Sequence, residues 1–414
     1  MRYISSLILL LFVTVSFAQT VDSTHVHATD TTVKKVDDSR IRISILTCGV
    51  GDELYSSFGH NGVRIIDSAK GLDEVYNYGT FSFSDPDFYV KFLRGKLMYY
   101  LSKSSYNNFI DTYIEEKRNI QEQVINLTPA QKQEMIKLLE HNARPENREY
   151  KYDFFMDNCA TRIRDLFPKV LGPEFYFGET IGNKKISYRG IMNHYLITKH
   201  WERLGVNLLL GSRIDSIMTD DGIMFLPDYV HKGLVHARYK GEHVVAQDID
   251  ILKHDQPKVS TFNGPLWMMI GILILTVLSF LVPAFRYLKP IMRFLVLFST
   301  GLLGCIMLFM WVGTNHLACS DNYNILWAVP LNIVVAFVAN KRRLWLKIYA
   351  LAAISLLIVG LVINAIGIQQ LPLIEISPML LCLMYIYIDM YKQNAHLTVA
   401  TTPNTSTNTP TTAN

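Results

Sequence analysis

The spacing of hydrophobic residues changes character near residue 263. Before that point, short alternating runs such as Ile41–Thr47 and Gly62–Asp67 predict β-strands, and intervening runs with helical spacing predict helices. After it, long and nearly continuous apolar runs predict membrane-spanning helices. The pattern therefore predicts a mixed α+β domain at residues 41–262, followed by an all-α transmembrane domain at residues 263–392.

Five apolar runs make up the predicted transmembrane domain. They lie at residues 266–282, 294–313, 323–339, 348–366 and 372–389. The third run is short and contains Pro330, which predicts a kinked or re-entrant segment. Charged residues inside the runs are limited to Glu375 and Asp389, near opposite ends of the fifth run, which argues against an ion-coupled transporter.

The charges between the runs predict the orientation of the domain. Lys and Arg residues occur at residues 285–293 and 340–347, whereas residues 315–324 and 367–371 contain none. Basic segments favour the cytoplasmic side, so the uncharged segments are expected on the exported side. With five spans, the α+β domain is then exported and the C-terminus is cytoplasmic.

The two ends of the chain differ in composition from the two predicted domains. A basic residue, an apolar run and the small-residue site Ser16-Phe17-Ala18 predict a secretory signal peptide at residues 1–18. Polar residues 19–40 are expected to form a flexible leader, and the Thr- and Asn-rich residues 393–414 a disordered cytoplasmic tail. The sequence thus predicts a membrane protein with an exported N-terminal domain.

Composition narrows the possible partners. The formal net charge is only +4, and the Lys and Arg residues lack the aromatic interleaving of a nucleic-acid surface. Phosphate-binding loops, dinucleotide fingerprints and zinc-ligand spacings are missing from the sequence. We therefore expect a membrane partner, and no nucleic acid, cofactor or metal.

The stretch from Tyr152 to Arg162 is the leading candidate for chemistry. An extended aromatic run ends at Asp157-Asn158, and a helical apolar pattern follows. Asp157 is the predicted N-cap, which places Cys159 in the first helical turn. Unpaired backbone N–H groups and the helix dipole favour the thiolate there, and the thiolate is the nucleophilic form. The alternative is that Cys159 is a small buried hydrophobic residue.

A nucleophilic cysteine also needs a base within hydrogen-bond reach. The best candidate is His60, in the motif Phe58-Gly59-His60. Because Cys48 is also on the exported side, a Cys48–Cys159 disulfide is the main structural alternative. We expect instead that Cys159 is a free thiol and that Cys48 is structural.

The order of these motifs resembles the circularly permuted branch of the papain-like NlpC superfamily, which includes cell-wall peptidases and lipid acyltransferases. In that branch, a His on a strand precedes the Asn-Cys that opens a helix. A longer set of segments looks like the Lnb lipoprotein N-acyltransferase family of Bacteroidetes. These segments are Leu46-Thr47-Cys48, Glu53-Leu54-Tyr55, Phe58-Gly59-His60, Tyr76-Asn77-Tyr78-Gly79-Thr80-Phe81, Phe92-Leu93-Arg94-Gly95-Lys96-Leu97, Pro145-Glu146-Asn147-Arg148, Asp157-Asn158-Cys159-Ala160-Thr161-Arg162, Asn315-His316, Asn322-Tyr323-Asn324, Leu326-Trp327 and Pro330-Leu331.

The resemblance implies a permuted papain-like fold and a two-step acyl transfer. Cys159 would take an acyl chain from a phospholipid as a thioester and pass it to the amine of a diacylglyceryl-cysteine lipoprotein, with His60 moving the protons. Papain-like sites orient the base through a polar residue on the next strand. Asn77 is the candidate for that role, with Tyr76 and Tyr78 as alternatives, and Asn77 is equally compatible with a turn or strand end.

Three further residues are candidates for substrate binding, each with a simpler alternative. Arg162 suits a lipid phosphate, or pairs with Asp157 or Asp165. Asn158 adjoins the nucleophile, or only caps the helix. His316 lies in a polar exported segment and suits a headgroup or the lipoprotein, unless that segment is an ordinary solvated loop.

Two other functions stay open at this point. One is a membrane-tethered cell-wall peptidase or amidase on the same thiol fold. The other is a non-enzymatic envelope scaffold. Five spans favour the acyltransferase. An enzyme with two lipid substrates has a use for membrane spans, whereas a peptidase does not need five of them.

Overall fold

The computed structural model describes residues 40–254 and 261–397. The predicted signal peptide, the leader before Arg40 and the tail beyond residue 397 lie outside the described residues. Within them, the chain forms an α+β domain and a helical domain, as the hydrophobic pattern predicts.

The α+β domain is built on a seven-stranded antiparallel sheet. Including a smaller second sheet, the strands of the domain in the described residues are β1 Ile41–Cys48, β2 His60–Asp67, β3 Leu72–Thr80, β4 Met98–Ser105, β5 Ile120–Ile125, β6 Glu149–Lys151, β7 Phe175–Tyr176, β8 Arg238–Tyr239, β9 Glu242–His243 and β10 Val245–Leu252. The main sheet has the order β10-β5-β1-β2-β3-β4-β6, and β7, β8 and β9 form a small second sheet. Ile43, Ile45 and Val63 on the central strands are fully buried, since the central part of the sheet is covered on both faces.

Nine helices accompany these strands in the described residues. They are α1 Phe88–Leu93, α2 Tyr106–Glu115, α3 Pro129–Ala143, α4 Cys159–Arg164, α5 Leu166–Leu171, α6 Tyr188–Tyr195, α7 His200–Leu209, α8 Asp220–Ile223 and α9 Pro227–Val235. A capping box formed by Thr128 and Gln131 starts α3. The apolar pattern after Cys159 forms two short helices, α4 and α5, that meet at Asp165.

The helical domain contains five helices among the described residues. They are α10 Gly264–Leu281, α11 Lys289–Val312, α12 Asn332–Val338, α13 Leu344–Ala365 and α14 Leu373–Gln393. Four segments of this domain are long and apolar enough to cross a membrane, and α12 is not one of them. The helix α14 extends beyond the predicted boundary at residue 392, and Asn394 after it is fully buried.

The third apolar run is interrupted, as its proline predicts. It consists of a 3₁₀ turn at Tyr323–Leu326, an irregular stretch around Pro330 and the short helix α12. The run lies antiparallel against α11, and a Cβ at Gly304 would lie 1.9 Å from the carbonyl oxygen of Ala328. The predicted interruption at Pro330 is therefore confirmed.

A polar network compensates for the break in this apolar environment. The Asn332 amide oxygen accepts hydrogen bonds from the hydroxyl groups of Tyr349 at 2.6 Å and Tyr387 at 2.8 Å. Its amide nitrogen donates to the Thr300 hydroxyl at 3.2 Å. Buried polar groups in an apolar domain need such partners, so these residues stabilise the junction at which α12 begins.

Buried amides join the two domains. Asn322 Nδ2 donates to the carbonyl oxygen of Leu208 at 2.7 Å, and Asn324 Nδ2 donates to that of Asn207 at 3.1 Å. Both asparagines are fully buried. Glu375 at the start of α14 also accepts a hydrogen bond from Arg203 of α7 at 2.5 Å. The C-terminal part of α7 therefore fits into the domain-facing ends of the apolar helices.

A buried ion pair holds the loop that follows α7. The side chains of Arg189 and Asp215 are 1% and 4% exposed, and two hydrogen bonds of 2.9 and 3.0 Å join them. Arg189 also donates to the carbonyl oxygen of Gly211 at 2.7 Å, while Gly211 N–H donates to that of Ala318 at 2.8 Å. The pair thus shapes the loop that receives the segment between α11 and α12.

We predict that Arg189→Leu destabilises the full-length protein by about 3–5 kcal/mol, because it leaves the Asp215 carboxylate buried without its partner. Arg213→Leu is the matched control. It removes a half-exposed pair with Asp321, which is worth about 0–1 kcal/mol. The measurement is the temperature of half-aggregation in detergent. Equal losses in the two variants would contradict the structural importance of the buried pair.

Candidate active site

Cys159 is the first residue of α4, and Asn158 is the N-cap. The Asn158 side-chain oxygen accepts a hydrogen bond from Thr161 N–H at 2.9 Å, and the Thr161 hydroxyl accepts one from Asn158 N–H at 2.8 Å. The expectation that Asp157 is the N-cap is therefore wrong by one residue, since Asp157 pairs with Arg162 instead. Cys159 nevertheless lies in the first turn, as predicted.

Three secondary-structure elements bring Cys159, His60 and Asn77 together. His60 opens β2, Asn77 lies on the neighbouring strand β3, and α4 packs on both strands. His60 Nε2 is 2.5 Å from Asn77 Oδ1. The imidazole also interacts electrostatically with the Cys159 thiol. Because Asn77 occupies Nε2, Nδ1 is the ring nitrogen available to the sulfur. This is the arrangement of nucleophile, base and orienting residue found in thiol enzymes.

The surroundings favour a charged thiol. Burial opposes ionisation of Cys159, but the imidazolium of His60 and hydrogen bonds from His60 and from the backbone N–H groups of Asn61 and Ala160 outweigh it and lower the pKa of Cys159. Burial also opposes the imidazolium form of His60, but the thiolate and the Asn77 hydrogen bond raise its pKa. Each group thus favours the charged form of the other.

Cys48 shows how an unpaired cysteine behaves in the same sheet. It ends β1, lies opposite His60 in the strand register, and is fully buried. Burial raises the pKa of Cys48 to about 12, although a hydrogen bond with Tyr113 and the charge of Arg118 act in the opposite direction. Cys48 and Cys159 are both free thiols in the structure, and the electrostatic surroundings favour the thiolate only at Cys159.

Two tyrosines and a glycine that sequence reasoning did not assign to the site surround the thiol. Gly79 has φ of +88°, and a Cβ there would lie 3.5 Å from the Tyr152 ring and 3.8 Å from Cys159 Cβ. The buried Tyr150 hydroxyl has no hydrogen-bond partner among the described residues. The alternation of Tyr150 and Tyr152 on the extended run before the helix was the available signal.

Arg162 forms a two-point ion pair with Asp157. Its Nε and Nη2 donate to the two carboxylate oxygens at 2.6 and 2.8 Å, and the guanidinium lies 3.6 Å from the centre of the Tyr150 ring. Of the alternatives considered for Arg162, the structure contains the pair with Asp157. A lipid phosphate would have to compete with that carboxylate.

The structure places the other two binding candidates in supporting positions. The side chain of Asn158 caps α4 and donates to the carbonyl oxygens of Phe154 at 2.7 Å and Phe225 at 2.8 Å. These bonds occupy both ends of its amide. His316 Nε2 contacts the carbonyl oxygen of Phe92 at 3.0 Å, at the end of α1. Among the described residues, His316 forms no hydrogen bond with Cys159, His60 or Asn77.

A metal site or a ligand-binding cleft is less well supported than the thiol site. Residues 40–254 and 261–397 contain no group of three potential metal ligands. Two clefts, of about 440 and 470 Å³, lie beside Val50 and Asp228, and neither is lined by Cys159. We base the candidate active site on the activated thiol, because cleft volume alone identifies no chemistry.

Comparison with known proteins identifies both domains. Residues 28–193 match the Lnb N-terminal periplasmic domain, and residues 257–395 match the Lnb transmembrane domain. The chain belongs to the Lnb family. His60, Asn77 and Cys159 all lie in the first match of this Lnb protein. No curated protein and no solved structure matches the chain.

The family assignment confirms the resemblance seen in the sequence. It identifies the α+β domain as periplasmic and the helical domain as transmembrane. Together with the four long apolar segments, this fits an inner-membrane Lnb protein. Membership also indicates a protein of membrane lipoprotein processing.

We predict that iodoacetamide alkylation of Cys159 has an apparent pKa below the 9.0 of an ordinary thiol. The thiolate is the reactive form, so alkylation should extend to lower pH than for an ordinary thiol and should slow as the pH falls through the lowered pKa. His60→Ala removes the cation and leaves burial, so the apparent pKa should rise. Peptide mapping across pH measures this, with Cys48 as the unreactive internal control. The same pKa with and without His60 would contradict the pairing.

We predict that Asn77→Leu slows alkylation of Cys159 at neutral pH by roughly 5- to 150-fold. The change leaves the buried His60 Nε2–H without an acceptor, at a cost of about 1–3 kcal/mol. Asn77→Asp keeps an acceptor oxygen at the same place and should retain most of the reactivity. If both variants behave alike, Asn77 does not orient His60.

Proposed function

We propose that this Lnb protein is a lipoprotein N-acyltransferase that moves an acyl chain from a phospholipid, through a thioester on Cys159, to the N-terminal amine of a diacylglyceryl-cysteine lipoprotein. The observation that carries the proposal is the thiolate-favouring contact of Cys159 with His60, which Asn77 orients. Family membership supplies the link to lipoproteins. The proposed fold of the periplasmic domain is the permuted papain-like one, because the His-bearing strand precedes the Cys-bearing helix.

The first step forms the thioester. The Cys159 thiolate attacks the ester carbonyl carbon, a C–S bond forms, and the bond from that carbon to the glycerol oxygen breaks. His60, as imidazolium, gives its proton to the departing alkoxide, which leaves as a lysophospholipid. Backbone N–H groups at the start of α4 are the proposed donors to the oxyanion, since Ala160 N–H already contacts the sulfur.

The second step transfers the acyl chain. The lipoprotein amine attacks the thioester carbon, a C–N bond forms, and the C–S bond breaks to restore the thiolate. His60 accepts the amine proton and is again an imidazolium. An amide is more stable than a thioester, so the step runs forward without a nucleotide cofactor or a metal.

The burial of the thiol supports transfer over hydrolysis. Cys159 is only 6% exposed, and the rings of Tyr150 and Tyr152 lie against the site. A thioester formed there is shielded from bulk water, so an amine that enters the site has the advantage. A cell-wall peptidase uses water as its acceptor and gains nothing from such shielding.

The membrane domain fits two substrates that are both lipids. We propose five crossings, with the broken run at residues 323–339 as the third and a cytoplasmic C-terminus. That run supports the count, because contacts pair Asn332 with Thr300 and Arg293 with Ala339 along the antiparallel helix α11. The basic segments at residues 285–293 and 340–347 then share the cytoplasmic side.

We predict that Cys159→Ser and His60→Ala each lower lipoprotein N-acylation by about 100-fold or more, while the protein still accumulates in the membrane. The first removes the nucleophile and the second removes the group that moves protons. The measurement is mass spectrometry of a lipoprotein N-terminus from cells carrying each variant. Cys48→Ser is the matched control, because it changes a thiol that is not activated.

Normal N-acylation by the Cys159→Ser protein would overturn the thioester mechanism. Loss of cell-wall cleavage in that variant, with N-acylation unchanged, would instead identify the peptidase. An effect of Cys48→Ser as large as that of Cys159→Ser would remove the distinction between the two thiols.

A further inference from the structure

The helix α1 and the residues around it expose an unusual amount of apolar surface. Tyr89 is 79% exposed and Phe83 is 69% exposed. Val90, Phe92 and Leu93 are about half exposed. Exposed apolar groups in such a cluster mark a surface that contacts another molecule or a membrane. We refer to residues 81–97 as the α1 segment.

The α1 segment is attached to the end of a membrane helix. Asn315 N–H donates to the carbonyl oxygen of Arg94 at 2.9 Å, and His316 Nε2 contacts that of Phe92 at 3.0 Å. These residues follow directly on α11, whose last residue, Val312, is 73% exposed. The exposed apolar side chains of α1 therefore lie near the end of an apolar helix of the membrane domain.

The charges at the edge of the α1 segment suit a bilayer surface. Arg94 and Lys96 are exposed, whereas Lys91 pairs with Asp85 at 2.7 Å. Aromatic residues beside Lys and Arg are typical of the interface between hydrocarbon and headgroups. The basic groups can reach lipid phosphates while the rings stay in the acyl-chain region.

A series of aromatic rings connects this surface to the thiol. Phe88 of α1 lies 5.8 Å from Phe81, Phe81 lies 5.3 Å from Tyr99, and Tyr99 stacks on Tyr152 at 4.4 Å, measured between ring centres. Tyr152 and Cys159 both lie against Gly79. A continuous series of packed aromatic rings thus joins α1 to the surroundings of Cys159.

We propose that the α1 segment inserts into the periplasmic surface of the bilayer and that the aromatic series guides a lipid acyl chain from there to Cys159. The occupant is the lipid bilayer, because the patch adjoins a membrane helix and has basic residues at its edge. The insertion does not depend on the chemistry at Cys159, whereas the guiding of the acyl chain rests on the proposed function. The role of His316 in this proposal is to position α1.

Photo-crosslinking in intact membranes tests the insertion. A benzophenone amino acid replaces Tyr89 in the full-length protein, and mass spectrometry identifies the adducts after irradiation. Lipid adducts are expected at position 89 and at the lipid-facing control position Leu281, but not at Tyr176, which is 54% exposed on the small sheet. Lipid adducts at Leu281 without any at position 89, or equal yields at positions 89 and 176, would overturn the proposal.

A pair of substrates separates delivery from chemistry. Tyr89→Asp and Val90→Asp should lower acyl transfer from phospholipid vesicles by at least 10-fold, while p-nitrophenyl butyrate, a soluble ester, still acylates Cys159 at the wild-type rate. Tyr176→Asp should change neither. Equal losses with both donors would show that the α1 changes damage the site. If wild-type protein reacts with the soluble ester but not with vesicles, the proposed function fails. The crosslinking result then still decides whether the α1 segment inserts into the bilayer.

Discussion

The polar contacts that fix the periplasmic domain on the membrane domain are the constraint on which the proposed chemistry depends. An ester carbonyl of a phospholipid lies at the bilayer surface, so a thiol on a freely moving domain would rarely meet it. Asn322 and Asn324 bind backbone carbonyls of α7 in a fully buried position. Leaving such a buried group unsatisfied costs about 1–3 kcal/mol, so partial separation of the domains is disfavoured and the position of Cys159 relative to the apolar helices is fixed.

The active site itself uses burial in two opposite ways. Burial alone would raise the pKa of Cys159, as it does for Cys48 a strand away. The His60 imidazolium, held by Asn77, reverses that effect for one thiol only. The same burial strengthens the attraction between thiolate and imidazolium. In the proposed function it would also keep water from the thioester and so favour transfer to an amine over hydrolysis.

Much of this arrangement was predictable from local sequence signals. Alternating strands and the helix start at Cys159 are encoded within short segments, and the structure has them as expected. The N-cap was misplaced because Asp157 and Asn158 are both good caps, and the choice depends on the ion pair that Arg162 makes with Asp157. The partners of buried amides at the domain junction lie more than a hundred residues away, and no local pattern specifies them.

The broken third apolar run explains why His316 lies outside the catalytic site. A continuous helix in this run would use its whole length to cross the membrane. In the structure, the irregular stretch near Pro330 packs closely on Gly304 of α11 instead, and α12 begins only at Asn332. The segment before it, which contains His316, is thereby held against both α7 and the end of α1. In the proposed function, the membrane domain then acts by holding the α1 segment and its aromatic series near the lipid surface, and the chemistry belongs to the periplasmic domain.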